Sequence, residues 1–442
     1  MSAIGHAVTD FVWAGERLVP AAEIDLAAAP DPVALARGLG GQFALHHVGE
    51  DEHFLARDPL GVNKLFFAIV GGGEVVSSSY WLDLVRRGHP GPAIWSVPSG
   101  HLLRVAPGRR QLRLDKLAAL PFDDGEGEPG PEHVARIRDA LEGVFRRLAG
   151  AVAGRPLYVT LSGGLDSTTI AALARRHLGE FTAVTFSIAD EGGELRPTED
   201  LRYARRVAHD LGVPLRVVHA TADELLALVD VALCFGQDWR DFNVHCALVN
   251  AAIGQAIAGD HPGARPVLLT GDAMNELVAD YTPVTYRGRE YYPLPRLPAG
   301  RLRRFLVQGL DAGDREIGVF AHHGLDAIQP YALCAEAYTA LPGGCLGRPE
   351  AKQRVVREVM GDAIPSYIYD RPKVRAQIGG ADEVRGTLAA LVDRGVDGPW
   401  LERRFCQLYQ LEPAELRRAI RAGFYRFPTS YPDPQPPPAH IS

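Results

Sequence analysis

The chain has 442 residues, 46% of them hydrophobic and 23% charged, a composition that gives a soluble globular protein with room for two or three domains. A formal net charge of −7 with no long basic run argues against a bulk nucleic-acid-binding surface, and no stretch approaches the roughly eighteen apolar residues of a membrane span. The N-terminal residues lack the basic and apolar regions of a secretion signal. The five scattered cysteines (Cys234, Cys246, Cys334, Cys345 and Cys406) show no zinc or disulfide spacing, so the cytoplasm is the expected location.

Residues 1–120 read as β-rich. Gly41–Val48 and His53–Asp58 form one expected hairpin across the turn at 49–52. Lys64–Val70 and Glu74–Ser79 form another around three glycines, and His101–Val105 and Arg110–Leu114 a third across a Pro-Gly turn. Residues 121–131 are acidic and rich in Gly and Pro, a linker composition that packs poorly. From 132 to 427 the pattern changes. Ile137, Leu141, Val144 and Leu148 mark an amphipathic helix over about 131–149. Apolar strands at 157–161, 182–187, 215–219 and 266–270 alternate with helices, near 167–177 and 200–211 between the first three. That alternation predicts an α/β fold with a doubly wound parallel sheet. The rest, to about 425, reads as helical, and 428–442 as a Pro-rich, extended or disordered tail.

The run Ser162-Gly163-Gly164-Leu165-Asp166-Ser167 follows the first of these strands and opens a helix. Ligands of open α/β sheets bind beyond the carboxyl ends of the strands. The glycines let backbone approach phosphate oxygens, the free N–H groups at a helix start favour an anion, and the two serines offer hydroxyl donors. A carboxylate at Asp166 makes sense there mainly as a Mg²⁺ ligand. The run resembles the PP-loop of the ATP pyrophosphatases and lacks the Gly-Lys-Ser/Thr end of a Walker A loop.

Further stretches resemble the asparagine synthetase and β-lactam synthetase family. They are Leu269–Glu276, His323–Tyr331, the Lys352–Glu358 helix, and Ile364-Pro365 followed by Arg371-Pro372-Lys373. In the first domain Phe54–Phe67 is similar to the Arg-Asp-x-x-Gly signature of that family's glutaminase. The resemblance covers about residues 40–380, in the family's motif order. It implies a degenerate Ntn-hydrolase-like α+β sandwich followed by a PP-loop synthetase domain with a helical C-terminal part. The family's glutaminase uses an N-terminal cysteine. Here position 2 is Ser2, no cysteine precedes Cys234, and the segments that hold glutamine are missing. The first domain is therefore expected to be a scaffold that supplies no ammonia.

The resemblance also assigns roles. ATP and pyrophosphate fall to Ser162, Gly163, Gly164, Asp166, Ser167, Val184, Phe186, Ser187, Gly271 and Lys352, with Thr185 in the adenine-wrapping strand and Arg357 a further basic group. Mg²⁺ falls to Asp166, Asn275 and Asp272. Asn275 stands where the family has Asp, so Asp272 or Glu276 is expected to restore the missing charge. Lys373 matches the catalytic lysine, and Glu316 or Asp272 the base that deprotonates the amine. The Tyr- and Arg-rich stretch 281–292 suits an acidic or planar substrate or a surface loop with aromatic anchors. The activity implied is adenylation of a small carboxylic acid, release of pyrophosphate, and amide formation with an amine of the same or a second molecule, in specialised metabolism. A homodimer is compatible with the chain; nucleic-acid and membrane partners are not expected. Two alternatives stay open: adenylation of a group other than a carboxylate, and a non-catalytic ATP-binding or regulatory relative.

Overall fold

The computed structural model describes residues 6–195, 198–371, 386–421 and 424–432. Its centre is a five-stranded, all-parallel sheet. In spatial order the strands are Leu215–Ala220, Thr182–Ile188, Leu157–Thr160, Val267–Leu269 and Asp326–Ile328. In chain order this is 3-2-1-4-5, so the direction of winding reverses between the first and fourth strands. Such a reversal leaves a crevice at the strand ends where ligands bind. The inner strands are short apolar runs because helices cover both faces. One of these, Pro131–Val152, buries Ile137, Leu141, Val144 and Leu148 as its periodicity predicts. The fifth strand lies inside the His323–Tyr331 motif. Its three residues are all buried, too short a run to show a period. The helix Asp241–Asp260 is likewise not evident from the sequence, because apolar residues surround it and leave no amphipathic stripe.

The first segment forms layered antiparallel sheets, with helix reduced to two six-residue α-helices, Pro32–Arg37 and Trp81–Arg86, and short 3-10 turns. All three expected hairpins are present. Leu55, Leu103 and Val105 from one sheet meet Leu65, Phe67 and Val75 from another. The opposite side of the second sheet, through Phe66 and Ala68, together with Trp81 of the adjoining helix, joins the core of the second segment.

The Arg57-Asp58 pair of the glutaminase-like signature holds this junction together. The Asp58 carboxylate accepts backbone N–H bonds from Phe43, Leu60, Val62 and Asn63, which fixes the turn. Arg57 is fully buried. It donates to the carbonyls of Asn63, Gly61 and Val97, crosses the domain boundary to the carbonyl of Asp311, and pairs with the Asp311 carboxylate.

The linker corrects a composition-based expectation. Residues 121–130 are docked, and the helix already begins at Pro131. Arg303 donates to the carbonyl of Asp123, Arg304 pairs with Asp124 at 2.6 Å, and Arg348 and Arg354 both reach Glu128 at 2.6 Å. The acidic side chains of Asp124 and Glu128, which suggested a solvated tether, are here the partners of three arginines. Phe427 and Tyr431, at the start of the Pro-rich tail, pack on the first segment, and 433–442 lie outside the described residues. No helix among the described residues is long and apolar enough to cross a membrane, and all five cysteines are free.

Replacing Arg57 by Met removes the partner of the Asp311 carboxylate and the guanidinium bonds to four carbonyls, of which Asn63 and Asp311 lose the side-chain donor they have here. Removing one partner of a buried ion pair costs about 3–5 kcal/mol. Thermal unfolding of Arg57→Met is expected to show a loss of that size, whereas the same change at exposed Arg109 leaves the melting temperature within a degree.

Candidate active site

The loop after the first strand is shaped by its serines. Ser167 Oγ accepts from the Ser162 backbone N–H at 3.2 Å and lies 3.1 Å from Ser162 Oγ, which accepts from the Gly164 N–H at 3.2 Å. The loop curls over the start of the helix Leu165–His177. Gly163 has φ +71°, and a Cβ there would lie 2.5–2.7 Å from Tyr203 and the Ala204 nitrogen. Gly271, on the loop after the fourth strand, is needed for a different reason: a Cβ would come within 3.0 Å of the Ser167 backbone. The two loops thus meet at the reversal point of the sheet.

Lys352, on the helix Pro349–Met360, lies buried between them. Its ammonium donates to Asp166 Oδ2 at 2.8 Å, Asn275 Oδ1 at 3.0 Å and Asp280 Oδ2 at 3.3 Å. Burial acts to lower its pKa, but Asp166 and Asp280 outweigh this and hold it above the ordinary lysine value. Arg371 lies behind the loop. It donates to the Ser162 carbonyl at 3.0 Å, pairs with Asp200 and, at 3.5 Å, Glu199, and stacks over Tyr203. Two cations here face four carboxylates.

These groups line a cavity of about 300 Å³. Val184, Thr185, Phe186 and Ser187 of the second strand form one wall. Phe242, His245, Cys246, Val249 and Asn250, on one face of the helix Asp241–Asp260, form another. His245 donates or accepts a 2.7 Å bond with the Tyr292 hydroxyl, and its other ring nitrogen is buried without a partner. Burial pushes its pKa down to about 3, so this imidazole is neutral at physiological pH.

Glu316 closes the far end. It is 2% exposed, and its Oε2 accepts from Thr270 Oγ1 at 2.8 Å and Gln329 Nε2 at 2.7 Å. Next to it Arg315 binds Glu276 at 2.7 Å and approaches Asp272 at 3.7 Å, while the Tyr281 hydroxyl donates to Glu276 Oε1 at 2.6 Å. Burial raises the Asp272 pKa, opposed by Arg315. Burial also acts to raise Glu276, but Arg315 and Tyr281 prevail and hold it below the usual range.

Residues 136–316, which carry both loops and this wall, match the asparagine synthase family model. Over 306 residues the chain is 28% identical to a Mycobacterium tuberculosis protein named as a glutamine-hydrolyzing asparagine synthetase, covering 61% of this chain and 44% of that one. The chain thus spans under half the length of this relative. Over 389 residues it is 28% identical to the carboxyethyl-arginine β-lactam synthase of Streptomyces clavuligerus, covering 81% of this chain and 68% of that one. A solved NMN synthetase from Francisella tularensis overlaps 65% of this chain and 90% of that one at 13% identity, with a TM-score of 0.30.

The structure gathers Ser162, Gly164, Asp166, Ser167, Val184, Phe186, Ser187, Gly271, Asp272, Asn275 and Glu316, all within the matched stretch, and Lys352 beyond it, around the one cavity. Gly163 stands behind the loop, against Tyr203. Asp272 faces Arg315, and Glu276 is taken up by Arg315 and Tyr281. The carboxylate that joins Asn275 at Lys352 is Asp280, which the sequence did not single out. Its signal lies in the spacing: a five-residue interval across the short helix Met274–Leu277 brings Asn275 and Asp280 to one ammonium. His245 and Arg371 were also missed as cavity residues. Lys373 and Ser2 lie outside the described residues.

The donor set suits a hard divalent cation. Among the described residues no three His, Cys, Asp or Glu side chains cluster as a metal site, but Asp166, Asn275 and Asp280 bring three oxygen donors together, and Asp166 Oδ1 is buried without a hydrogen-bond partner. Two carboxylates plus substrate phosphates are an ordinary Mg²⁺ set.

Gly163→Ala is expected to abolish ATP binding by calorimetry while the far-ultraviolet dichroism stays native, because the loop has no room for a Cβ. The depressed His245 pKa gives a second expectation. The unfolded chain takes up this proton near pH 6.5 and the folded one only near 3. Stability is therefore lost as pH falls below 6.5, by about 2 kcal/mol at pH 5 from this group. Denaturant midpoints for wild type and His245→Gln at pH 7 and 5 check this: the variant should lose less on acidification.

Proposed function

We propose that the protein is an ATP-dependent, AMP-forming ligase that adenylates a small carboxylic acid and joins it to an amine. The observation that carries this is the sharing of one cavity by a phosphate-binding loop, an adenine-sized strand edge and a buried carboxylate, Glu316. The asparagine synthase match and the likeness to a β-lactam synthase support the same chemistry.

In this mechanism the β- and γ-phosphates lie on the N–H groups at the start of the Leu165–His177 helix, with Ser162 and Ser167 as hydroxyl donors. The adenine lies along Val184–Ser187. The carboxylate oxygen attacks the α-phosphorus and pyrophosphate leaves. Lys352 screens the negative charge that this transfer moves through the cavity. Mg²⁺, held by Asp166, Asn275 and Asp280, would neutralise the polyphosphate that otherwise meets an excess of carboxylates. His245, neutral and with an open ring nitrogen, offers a hydrogen bond to the acid. Glu316 takes a proton from the attacking amine. Lys373 is assigned to the adenylate and tetrahedral charge on its sequence context alone. The first 233 residues contain no cysteine, which supports an amine source other than glutamine hydrolysed in the first domain.

The test is acid-dependent ATP–pyrophosphate exchange across a panel of carboxylic acids, with amide formation assayed in parallel. At least one acid should support exchange in the wild type. Asp166→Ala should lose exchange. Glu316→Gln should keep it and lose amide formation by about 10²–10⁴-fold, the range for a general base. Failure of every acid, together with no ATP binding, would sink the proposal and favour a non-catalytic relative; exchange supported only by non-carboxylate substrates would favour the other adenylation chemistry.

A further inference from the structure

A second cavity, of about 370 Å³, adjoins the first. The two share Phe242, Tyr281, Arg315 and Glu316, so the side chain proposed as the base faces both. The second cavity lies on the domain boundary. Lys64 of the first segment closes one end, its ammonium donating to the carbonyls of Gly61 at 2.8 Å and Leu310 at 2.6 Å.

Its two ends differ in chemistry. Away from the shared wall the lining is apolar, with Pro293, Leu294, Pro295, Phe305, Leu306 and Leu310. At the shared wall it presents two carboxylates, Glu276 and Glu316, with one guanidinium, Arg315, bound to the first. Glu276 lines this cavity and not the first. It is 4% exposed, and although Arg315 and Tyr281 both bind its Oε1, its Oε2 is buried and accepts no hydrogen bond. A buried carboxylate oxygen left unpaired is costly, and a ligand N–H is the natural donor to satisfy it. An ammonium group has such donors and suits a wall with more than one carboxylate; an anion does not.

We infer that this second cavity is the acceptor site of the ligase, and that it takes a primary amine with an aliphatic or aryl tail, its nitrogen at Glu276 and Glu316 and its tail among the prolines and leucines. The inference rests on the amide-forming function proposed above and adds the class of the amine. The balance of the step is as follows. The bound ammonium gives one proton to Glu316. Its nitrogen then attacks the acyl carbon, a C–N bond forms, and the acyl C–O bond breaks with its electron pair leaving on AMP. The second proton goes from the tetrahedral nitrogen to the departing phosphate. Phe242, Tyr281 and Arg315 stand between the two substrates until they meet. The first segment, without a glutaminase nucleophile, retains a use as the floor of this cavity.

Gly309 provides the means of testing this. It lies in the helix Ala299–Ala312 and lines only the second cavity, and a Cβ built there meets no atom within 4 Å. A larger residue is therefore tolerated by the helix and occupies the open space. Saturation-transfer NMR on the full chain without nucleotide, with 2-phenylethylamine as probe and 3-phenylpropionate as its anionic counterpart, reads occupancy apart from adenylation. Transfer to the amine is expected in the wild type and in Gly309→Ala, and loss of it in Gly309→Phe, with the circular dichroism of all three alike. Absence of transfer in the wild type, its persistence in Gly309→Phe, or transfer to the anion in place of the amine would each overturn the inference. In turnover assays with an acid that supports exchange, Gly309→Phe should raise KM for 2-phenylethylamine at least tenfold and that for hydroxylamine less than twofold; an equal rise for both counts against it. If no acid supports exchange the ligase proposal fails on its own, and the binding result still decides whether the cavity takes amines.

Discussion

The ammonium of Lys352 lies away from bulk water between oxygens of Asp166, Asn275 and Asp280. A buried charge is tolerated only when paired and hydrogen-bonded, so this one group fixes where four segments of chain must lie. The helix behind the phosphate-binding loop supplies Asp166. The short helix after the fourth strand supplies Asn275, the turn beyond it Asp280, and the helix Pro349–Met360 the lysine itself. Gly163 and Gly271 allow these segments to close on one another, since a methyl group at either position meets neighbouring chain at 3.0 Å or less. The cavity exists because this charge and these two contacts hold its walls at their spacing.

The same electrostatics explain why, under the ATP-dependent function proposed above, a polyphosphate would enter this cavity together with a cation. Lys352 and Arg371 are each committed to carboxylates, two apiece. Neither brings surplus positive charge to an incoming triphosphate. The loop contributes N–H and hydroxyl donors but no positive charge of its own. Asp166 Oδ1 is buried without a hydrogen-bond partner, and so is Glu276 Oε2 on the other side of the Arg315 wall. Each cavity thus has one buried carboxylate oxygen unpaired. The first lies beside the Ser162–Ser167 loop, the second beside an apolar chamber.

The first segment is best understood through Arg57 and Asp58. Both belong to the stretch Phe54–Phe67 whose sequence resembles a glutaminase signature. In this chain they organise a turn and tie it to Asp311 across the domain boundary. The motif persists as a structural bracket, and that bracket sets Val62 and Lys64 against the second cavity.

Local pattern was enough for much of this. The hairpins of the first segment, the strands at 157–160 and 182–188 and the helices that follow them all have runs long enough for alternation or helical periodicity to appear, and the loop Ser162–Ser167 carries its own turn chemistry. The sequence by itself therefore determined the α/β class, the place of the loop and, through the loop and the second strand, part of the lining of the first cavity. It did not show the three-residue strand Asp326–Ile328 or the helix Asp241–Asp260, one too short for a period and the other apolar on all sides. It misjudged the acidic linker, because the arginines that neutralise it are more than 170 residues away in the chain. Only the tertiary structure decided that Asp280 joins Asn275 at Lys352, that Arg315 takes Glu276 and leaves one of its oxygens unpaired, and that a second chamber opens behind Glu316. The physical reason is the same in each case: charge pairing and cavity shape depend on which distant segments meet, whereas periodicity and turn chemistry are written within a few neighbouring residues.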